Sequence, residues 1–228
     1  MVEKVQLGVL VSGGGSNLQA ILDACADGRI DGRVAAVVCN VPGARALERA
    51  AAAGAAAELL PSKGMPDRAA YDLSVVDRLR HHGVDLVCLA GWMRLVTPGF
   101  LEAFGPTQGS GGCPRVMNIH PALLPSFPGL HAQRQALDHG VRFTGCTVHF
   151  VDAGTDTGPM IVQAVVPVLP GDDEASLSAR ILVEEHRIYP EAVQWFAEGR
   201  LSLEGRRVRV RDGAAPSLDG VANPALDR

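Results

Sequence analysis

Aromatic side chains are scarce in this chain: six Phe, two Tyr and two Trp make up 4% of 228 residues. A core must therefore be filled by alanine, valine and leucine, which the 47% hydrophobic fraction can supply. No run approaches the ~18 consecutive apolar residues of a bilayer-spanning helix. No signal-peptide cleavage pattern follows the opening "MVEKVQLGVLVSGGG". Positive charge is also short, with 21 Lys+Arg against 25 Asp+Glu and a net charge of -4. That balance argues against a general nucleic-acid or membrane-surface binder, although a local basic pocket could still hold an anion.

The five cysteines, Cys25, Cys39, Cys88, Cys113 and Cys146, are odd in number and include no CxxC pair. Disulfides and a structural zinc are not expected, and four of the five lie in apolar segments where buried free thiols belong. A reducing, cytoplasmic setting follows. GxSxG and HExxH are absent, and His131, His139, His149 and His186 have no metal-ligand spacing. What remains is a metal-free transfer without a covalent intermediate.

The segments that are present alternate. Residues 5–12 form a buried strand, and Ser16 is placed to cap a helix with the stripe Leu18, Ile21, Leu22 and Cys25. Residues 34–39 form a second strand, an alanine-rich helix follows Ala44, and 58–60 form a short third strand. Arg68–His81 is helical, and "GVDLVCLAG" is another buried strand. This predicts an α/β fold: a Rossmann-like mononucleotide-binding N-terminal half continuing into one mostly parallel mixed sheet with helices on both faces. "GPTQGSGGC" reads as a flexible linker. A strand over 116–120, a helix near 133–139, the strands "TGCTVHFV" and "PMIVQAVVPV", and a helix over 174–196 follow. The division expected is a single domain over 1–205, with a phosphate-binding half (about 1–105) and a second, catalytic half (about 115–200). The tail, 206–228, is expected to be partly disordered.

Three glycines in "VLVSGGGSNLQAI" separate the first strand from its helix, where backbone N–H groups can cradle a phosphate. The loop is not a dinucleotide fingerprint, because Leu18 takes the third glycine position and the second strand ends in Asn40 without an acidic residue. No Gly-Lys-Ser/Thr follows, so it is not a Walker A loop either. A monophosphate site is favoured over a bare tight turn.

In "RVMNIHPALLP", Asn118 and His120 share one strand face, and Pro121 ends the strand where α/β ligand sites lie. An asparagine amide can stabilise an oxyanion, and a histidine can exchange a proton near neutral pH, so the pair suits acyl transfer. Spacing alone leaves a purely structural pair equally open. Asp156, in the turn-like "DAGTDTGPM", could orient His120 and raise its pKa. By itself it is an ordinary loop aspartate. Glu185 falls on the apolar stripe Leu177, Ile181, Ile188 and Ala192 of the long helix, and such a carboxylate needs a partner. A substrate ammonium or a structural arginine would serve, and the structural partner is favoured on sequence alone.

Together, "SGGGSNLQAI", "AGWMRLVTP", "MNIHPALLPSFPGLHAQRQAL", "VHFVDAGTDTGP" and "EEHRIYP" resemble the glycinamide ribonucleotide formyltransferases from about residue 5 to 199. The resemblance implies direct transfer of the formyl group of 10-formyltetrahydrofolate, a co-substrate, to the amine of glycinamide ribonucleotide in purine biosynthesis. It implies that Asn118 and His120 hold the tetrahedral oxyanion, that His120 donates the proton, and that Asp156 keeps His120 protonated. Gly15, Ser16 and Asn17 match the phosphate-ribose loop, and Glu185 the residue facing the substrate amine. Arg68 matches the folate-tail contact. Met93, Arg94, Leu95, Val96 and Asn118 would line the pterin pocket, closed by a loop with Asp152 and Ala153. No metal, nucleic acid or membrane is implied, and the assembly would be a monomer or homodimer.

Trp92 stands where the motif commonly has phenylalanine, "TQGSGGC" (107–113) is an unusual insertion, and the tail beyond Arg206 matches poorly. Methionyl-tRNA formyltransferase and formyltetrahydrofolate deformylase share the Asn-His-Asp set. The first usually carries an extra C-terminal domain, for which this chain is too short and too acidic, and the second an N-terminal one, while here the first strand starts at Val5. A non-catalytic nucleotide-binding module would leave the set unexplained.

Overall fold

The computed structural model describes residues 4–212. Seven strands form one sheet in the order β3-β2-β1-β4-β5-β6-β7. These are β1 (Val5–Val11), β2 (Gly32–Cys39), β3 (Ala56–Leu59), β4 (Leu86–Leu89), β5 (Val116–His120), β6 (Phe143–Phe150) and β7 (Met160–Pro167). The first five pair in parallel, while β6 is antiparallel to both β5 and β7. The nine residues joining β6 to β7 contain no helix, and a parallel crossover needs a dozen or more.

Helices cover both faces. α1 (Ser16–Ala26), α2 (Arg45–Ala52), α5 (Ala132–Asp138) and α6 (Glu174–Ala197) lie on one side, and α3 (Arg68–His81) and α4 (Pro98–Ala103) on the other. β1 is central and apolar on both faces: Leu7, Val9 and Val11 enter the α1/α6 core, and Leu10 enters the α3/α4 core. The core is built mainly of small and branched side chains, with Tyr71 and Tyr189 fully buried among them. Both tyrosine hydroxyls have acceptors: Tyr71 donates to the Leu60 carbonyl at 2.8 Å, and Tyr189 reaches those of Leu89 at 3.0 Å and Met117 at 3.2 Å. At α6, Asp173 and Ser176 form a reciprocal capping box, which explains why the helix starts at Glu174.

Several local expectations change. Ser16 does not cap α1; the cap position is Gly15 in the left-handed region (φ 70°), with no side-chain cap bond. A Cβ there would stand 2.9 Å from that of Ala46, so glycine is required both for conformation and for space. The six-residue α4 escaped periodicity analysis because it is under two turns long, although Pro98 in its first turn was a signal. Residues 107–113 are not a free linker. Cys113 is fully buried, and the Gly111 carbonyl accepts from Leu203 N at 3.0 Å. Composition reports local freedom, and here a distant strand supplies the partner that composition cannot anticipate. That strand, β8 (Leu201–Glu204), pairs with β9 (Arg207–Val210) as a separate two-stranded hairpin, so regular structure continues past residue 205. Of the tail expected to be partly disordered, 213–228 lie outside the described residues.

Candidate active site

The strand order reverses around β1 and β4, so the loops leaving their C-terminal ends face a common crevice. β5 is next to β4 and ends at His120. Pleating puts Asn118 and His120 on one face, and the antiparallel register places His149 opposite Asn118 and Thr147 opposite His120.

Asp156 reaches this face from the β6–β7 loop in a left-handed conformation (φ 53°). Its Oδ2 accepts from Gly129 N at 2.8 Å and lies 3.3 Å from His120 Nδ1. Its Oδ1 accepts from Asn118 Nδ2 at 3.4 Å and lies 3.7 Å from His149 Nε2. Asn118 Nδ2 is also 3.1 Å from His149 Nε2. The three sequence-predicted residues therefore meet, and His149 joins them. Metal-ligand spacing does not single out His149. The usable signal was Thr147 and His149 two apart on an apolar strand, the same pattern that exposed Asn118 and His120.

The electrostatics differ from expectation. Burial lowers the His120 pKa below its ordinary value, and the Phe127 carbonyl and the Asp156 carboxylate offset only part of that. Asp156 does pull the His120 pKa upward, as its charge implies, but desolvation outweighs the carboxylate. Yet His120 Nε2 lies 2.8 Å from the Phe127 carbonyl and Nδ1 faces Asp156, so both ring nitrogens meet acceptors that only an imidazolium can satisfy. The ring is therefore poised to take up a proton when negative charge develops nearby. For Asp156, burial raises the pKa, but the His149 ring 3.7 Å away, the hydrogen bond from Gly129 N and the nearby His120 outweigh it, and the carboxyl titrates below its usual range.

The 121–131 segment over this face is tied down from below. Buried Thr147 Oγ1 donates to the Ala122 carbonyl at 2.7 Å and accepts from Leu124 N at 3.1 Å. Gln163 Nε2 donates to the Leu124 carbonyl at 2.9 Å. The Leu124–Pro125 peptide is cis.

The glycine loop lies at the start of α1. Asn17 Nδ2 donates to Glu185 Oε2 at 2.7 Å, bridging 168 residues of sequence. The partner of Glu185 is thus a neutral amide rather than the arginine considered from sequence. Glu185 is 7% exposed, and burial raises its pKa, with the Asn17 bond offsetting part of the shift. Asn17 Oδ1 is buried without a hydrogen-bond partner. Arg49, which sequence reasoning passed over, donates to the Gly14 carbonyl at 2.9 Å and puts a cation beside the loop. Ser16 is half-buried at the first turn, with no side chain occupying the cap.

The segment after β4 carries the expected folate residues. Met93 and Leu95 are 64% and 54% exposed and give this segment apolar surface. Met93 N donates to Ser12 Oγ at 3.0 Å, linking this segment to the glycine loop. Arg94 lies over the Tyr71 ring at 4.5 Å, Val96 is half-buried, and Thr97 N donates to buried Asp72 at 2.6 Å. Arg68 is exposed at the first residue of α3, the helix that carries Tyr71 and Asp72. Asp152 accepts from Gly154 N and Thr157 Oγ1 within its own loop, and Ala153 is exposed. Among the described residues no His/Cys/Asp/Glu group could hold a metal ion, and no helix is long and apolar enough to cross a membrane.

The chain is similar to known proteins along most of its length. The formyl transferase family matches residues 5–193. Phosphoribosylglycinamide formyltransferase of Escherichia coli K12 is 46% identical over 214 residues, covering 91% of this chain and 97% of that protein. The Mycobacterium tuberculosis protein of the same name is 44% identical, covering 90% and 94%. The crystal structure of glycinamide ribonucleotide transformylase 1 from Symbiobacterium toebii superposes with a TM-score of 0.88 at 57% identity, covering 93% and 96%. A formyltetrahydrofolate deformylase from Pseudomonas syringae, at 24% identity and a TM-score of 0.83, shares the fold. With agreement over nearly the full length of its bacterial relatives, the chain belongs to the formyl transferase family, among the phosphoribosylglycinamide formyltransferases.

Proposed function

We propose that the Asn118–His120–Asp156 cluster carries out formyl transfer from 10-formyltetrahydrofolate to the amine of glycinamide ribonucleotide, a step of purine biosynthesis. The observation carrying this reading is the direct contact of Asp156 with both Asn118 and His120 at the end of β5. The amine nitrogen attacks the formyl carbon, and the carbonyl electrons move to oxygen. Asn118 Nδ2–H and His120 Nε2–H are the donors for that oxyanion, with the substrate oxygen taking the place of the Phe127 carbonyl. The intermediate collapses by breaking the bond between the formyl carbon and the folate nitrogen, which receives the proton that the amine loses. His120 gains affinity for a proton as the oxyanion forms beside it, and Asp156 stabilises that imidazolium.

The ribonucleotide is assigned to Gly15, Ser16, Asn17 and Glu185. First-turn amides of α1 and the Arg49 guanidinium suit a phosphate. Glu185, buried and hydrogen-bonded only to an amide, suits the substrate nitrogen. The folate is assigned to Met93, Arg94, Leu95, Val96, Asn118, Asp152 and Ala153, with Arg68 for its anionic tail. Met93 and Leu95 supply exposed apolar surface for a pterin. The test is formation of tetrahydrofolate and formylated ribonucleotide from the two substrates. Folate turnover at the same rate without ribonucleotide would replace transfer to the amine by transfer to water.

A further inference from the structure

The β6–β7 loop that carries Asp156 is also held from outside the site. At the turn between β8 and β9, Arg206 Nη2 donates to the Thr157 carbonyl at 2.5 Å. Thr157 directly follows Asp156. Its hydroxyl donates to Asp152 Oδ1 at 2.6 Å, which also accepts from Gly154 N at 3.1 Å. Residues 152–157 thus close on themselves, and Arg206 clasps the carbonyl next to the catalytic carboxylate. Asp156 needs such support, because a left-handed non-glycine residue persists only where its surroundings over-determine it.

The hairpin is firmly seated. Val208 and Val210 pack against the α1/α6 core. Leu203 N donates to the Gly111 carbonyl, and Arg211 N to that of Arg200 at 2.9 Å. Gly111 has φ 61°, and a Cβ on it would stand 2.3 Å from the Leu201 carbonyl oxygen. The 107–113 segment and the C-terminal hairpin therefore pack on each other. Their combined support ends at the Asp156 loop. The neighbouring Arg209 pairs instead with Glu204 at 2.9 Å.

We propose that Arg206 is a positioning residue for formyl transfer: by holding the Thr157 carbonyl it keeps Asp156 in register with Asn118 and His120. Its guanidinium touches no reacting group and acts through the loop backbone. This rests on the catalytic reading of Asp156. A charge-assisted bond to a backbone carbonyl is stronger than a neutral one, and losing it leaves the loop to sample orientations in which the carboxylate misses His120.

The test uses the full chain with Arg206→Met, Arg206→Lys, Asp156→Asn, the Arg206→Met/Asp156→Asn double variant and the control Arg209→Ala. Arg206→Met should lower kcat about five- to tenfold. It should also move the alkaline limb of the kcat profile to lower pH, because His120 loses upward pull on its pKa. The ribonucleotide KM should stay within about twofold. Arg206→Lys should recover most of kcat, Arg209→Ala should match the wild type, and the double variant should be no slower than Asp156→Asn. Wild-type kcat and pH profile in Arg206→Met, with Asp156→Asn impaired, overturn the positioning role alone. A lowered kcat that merely tracks a lowered Tm, with the pH profile unmoved, overturns it as well. Full turnover in Asp156→Asn instead overturns the reading of Asp156 on which the proposal stands.

Discussion

Replacing Asp156 by Asn removes one charge while keeping the shape of the side chain. Asparagine tolerates the left-handed backbone of residue 156 as well as aspartate does, so the variant separates charge from strain. The loss falls mainly on the imidazolium form of His120, whose Nδ1 is 3.3 Å from Asp156 Oδ2. At that separation a unit charge pair is worth about 5 kcal/mol at an effective dielectric constant of about 20, and about 1 kcal/mol in bulk water. The Asp156 side chain is 14% exposed, which places the pair between these limits. A barrier increase of about 3 kcal/mol, or roughly 10²-fold in kcat, is expected. KM values should change much less, because the lost interaction belongs to the transition state. Removing the carboxylate also lowers the His120 pKa further, so the alkaline limb of the kcat profile should move to lower pH. Single-turnover formation of tetrahydrofolate across a pH series measures both quantities. Unchanged kcat together with an unchanged pH profile would refute the assignment of Asp156 as partner of a charged His120.

His120→Ala should lose turnover by ~10²-fold or more with the fold intact, measured by kcat alongside circular dichroism; wild-type kcat would remove the imidazole from the mechanism. Glu185→Gln should weaken ribonucleotide use yet stabilise the free protein at neutral pH. Burial holds the Glu185 pKa above its unfolded value, so the native state binds more protons and loses stability as pH rises. A gain on the order of 1 kcal/mol would raise Tm by about 2–4 °C, and a lowered Tm would reverse the argument. In the acid direction, burial depresses the pKa of both His120 and His186, so the unfolded chain takes up protons first as pH drops through about 6.5. In the Glu185→Gln background, which removes the opposing Glu185 titration, the urea midpoint should fall between pH 7.5 and pH 5.5, and a constant midpoint there counts against buried neutral histidines. Thr147→Val should cost about 1–3 kcal/mol in urea unfolding, because Leu124 N and the Ala122 carbonyl lose their shared hydroxyl.

Much of the fold could be read from the sequence because it is local in origin. Helix α3 begins at Arg68 and ends at His81, as its pattern predicts, and β5 ends at the residue before Pro121. Both follow from periodicity and from chain-stopping residues. The segments that were misread depend on distant partners. The 107–113 segment looks like free linker until Leu203 bonds to Gly111. Ser16 looks like a cap until Gly15, crowded by Ala46, takes the left-handed position.

The candidate site divides in the same way. Alternation along one strand was enough to pair Asn118 with His120, and an apolar helical stripe was enough to mark Glu185. The motif resemblance assigned these residues their chemistry. Tertiary structure alone decided that Asp156 reaches them, that His149 stands among them, and that Asn17 is the partner of Glu185. It also decided the sign of the His120 shift. Charge complementarity is visible as residue types along a chain, but desolvation depends on what is packed around a side chain, and at His120 desolvation is the larger effect.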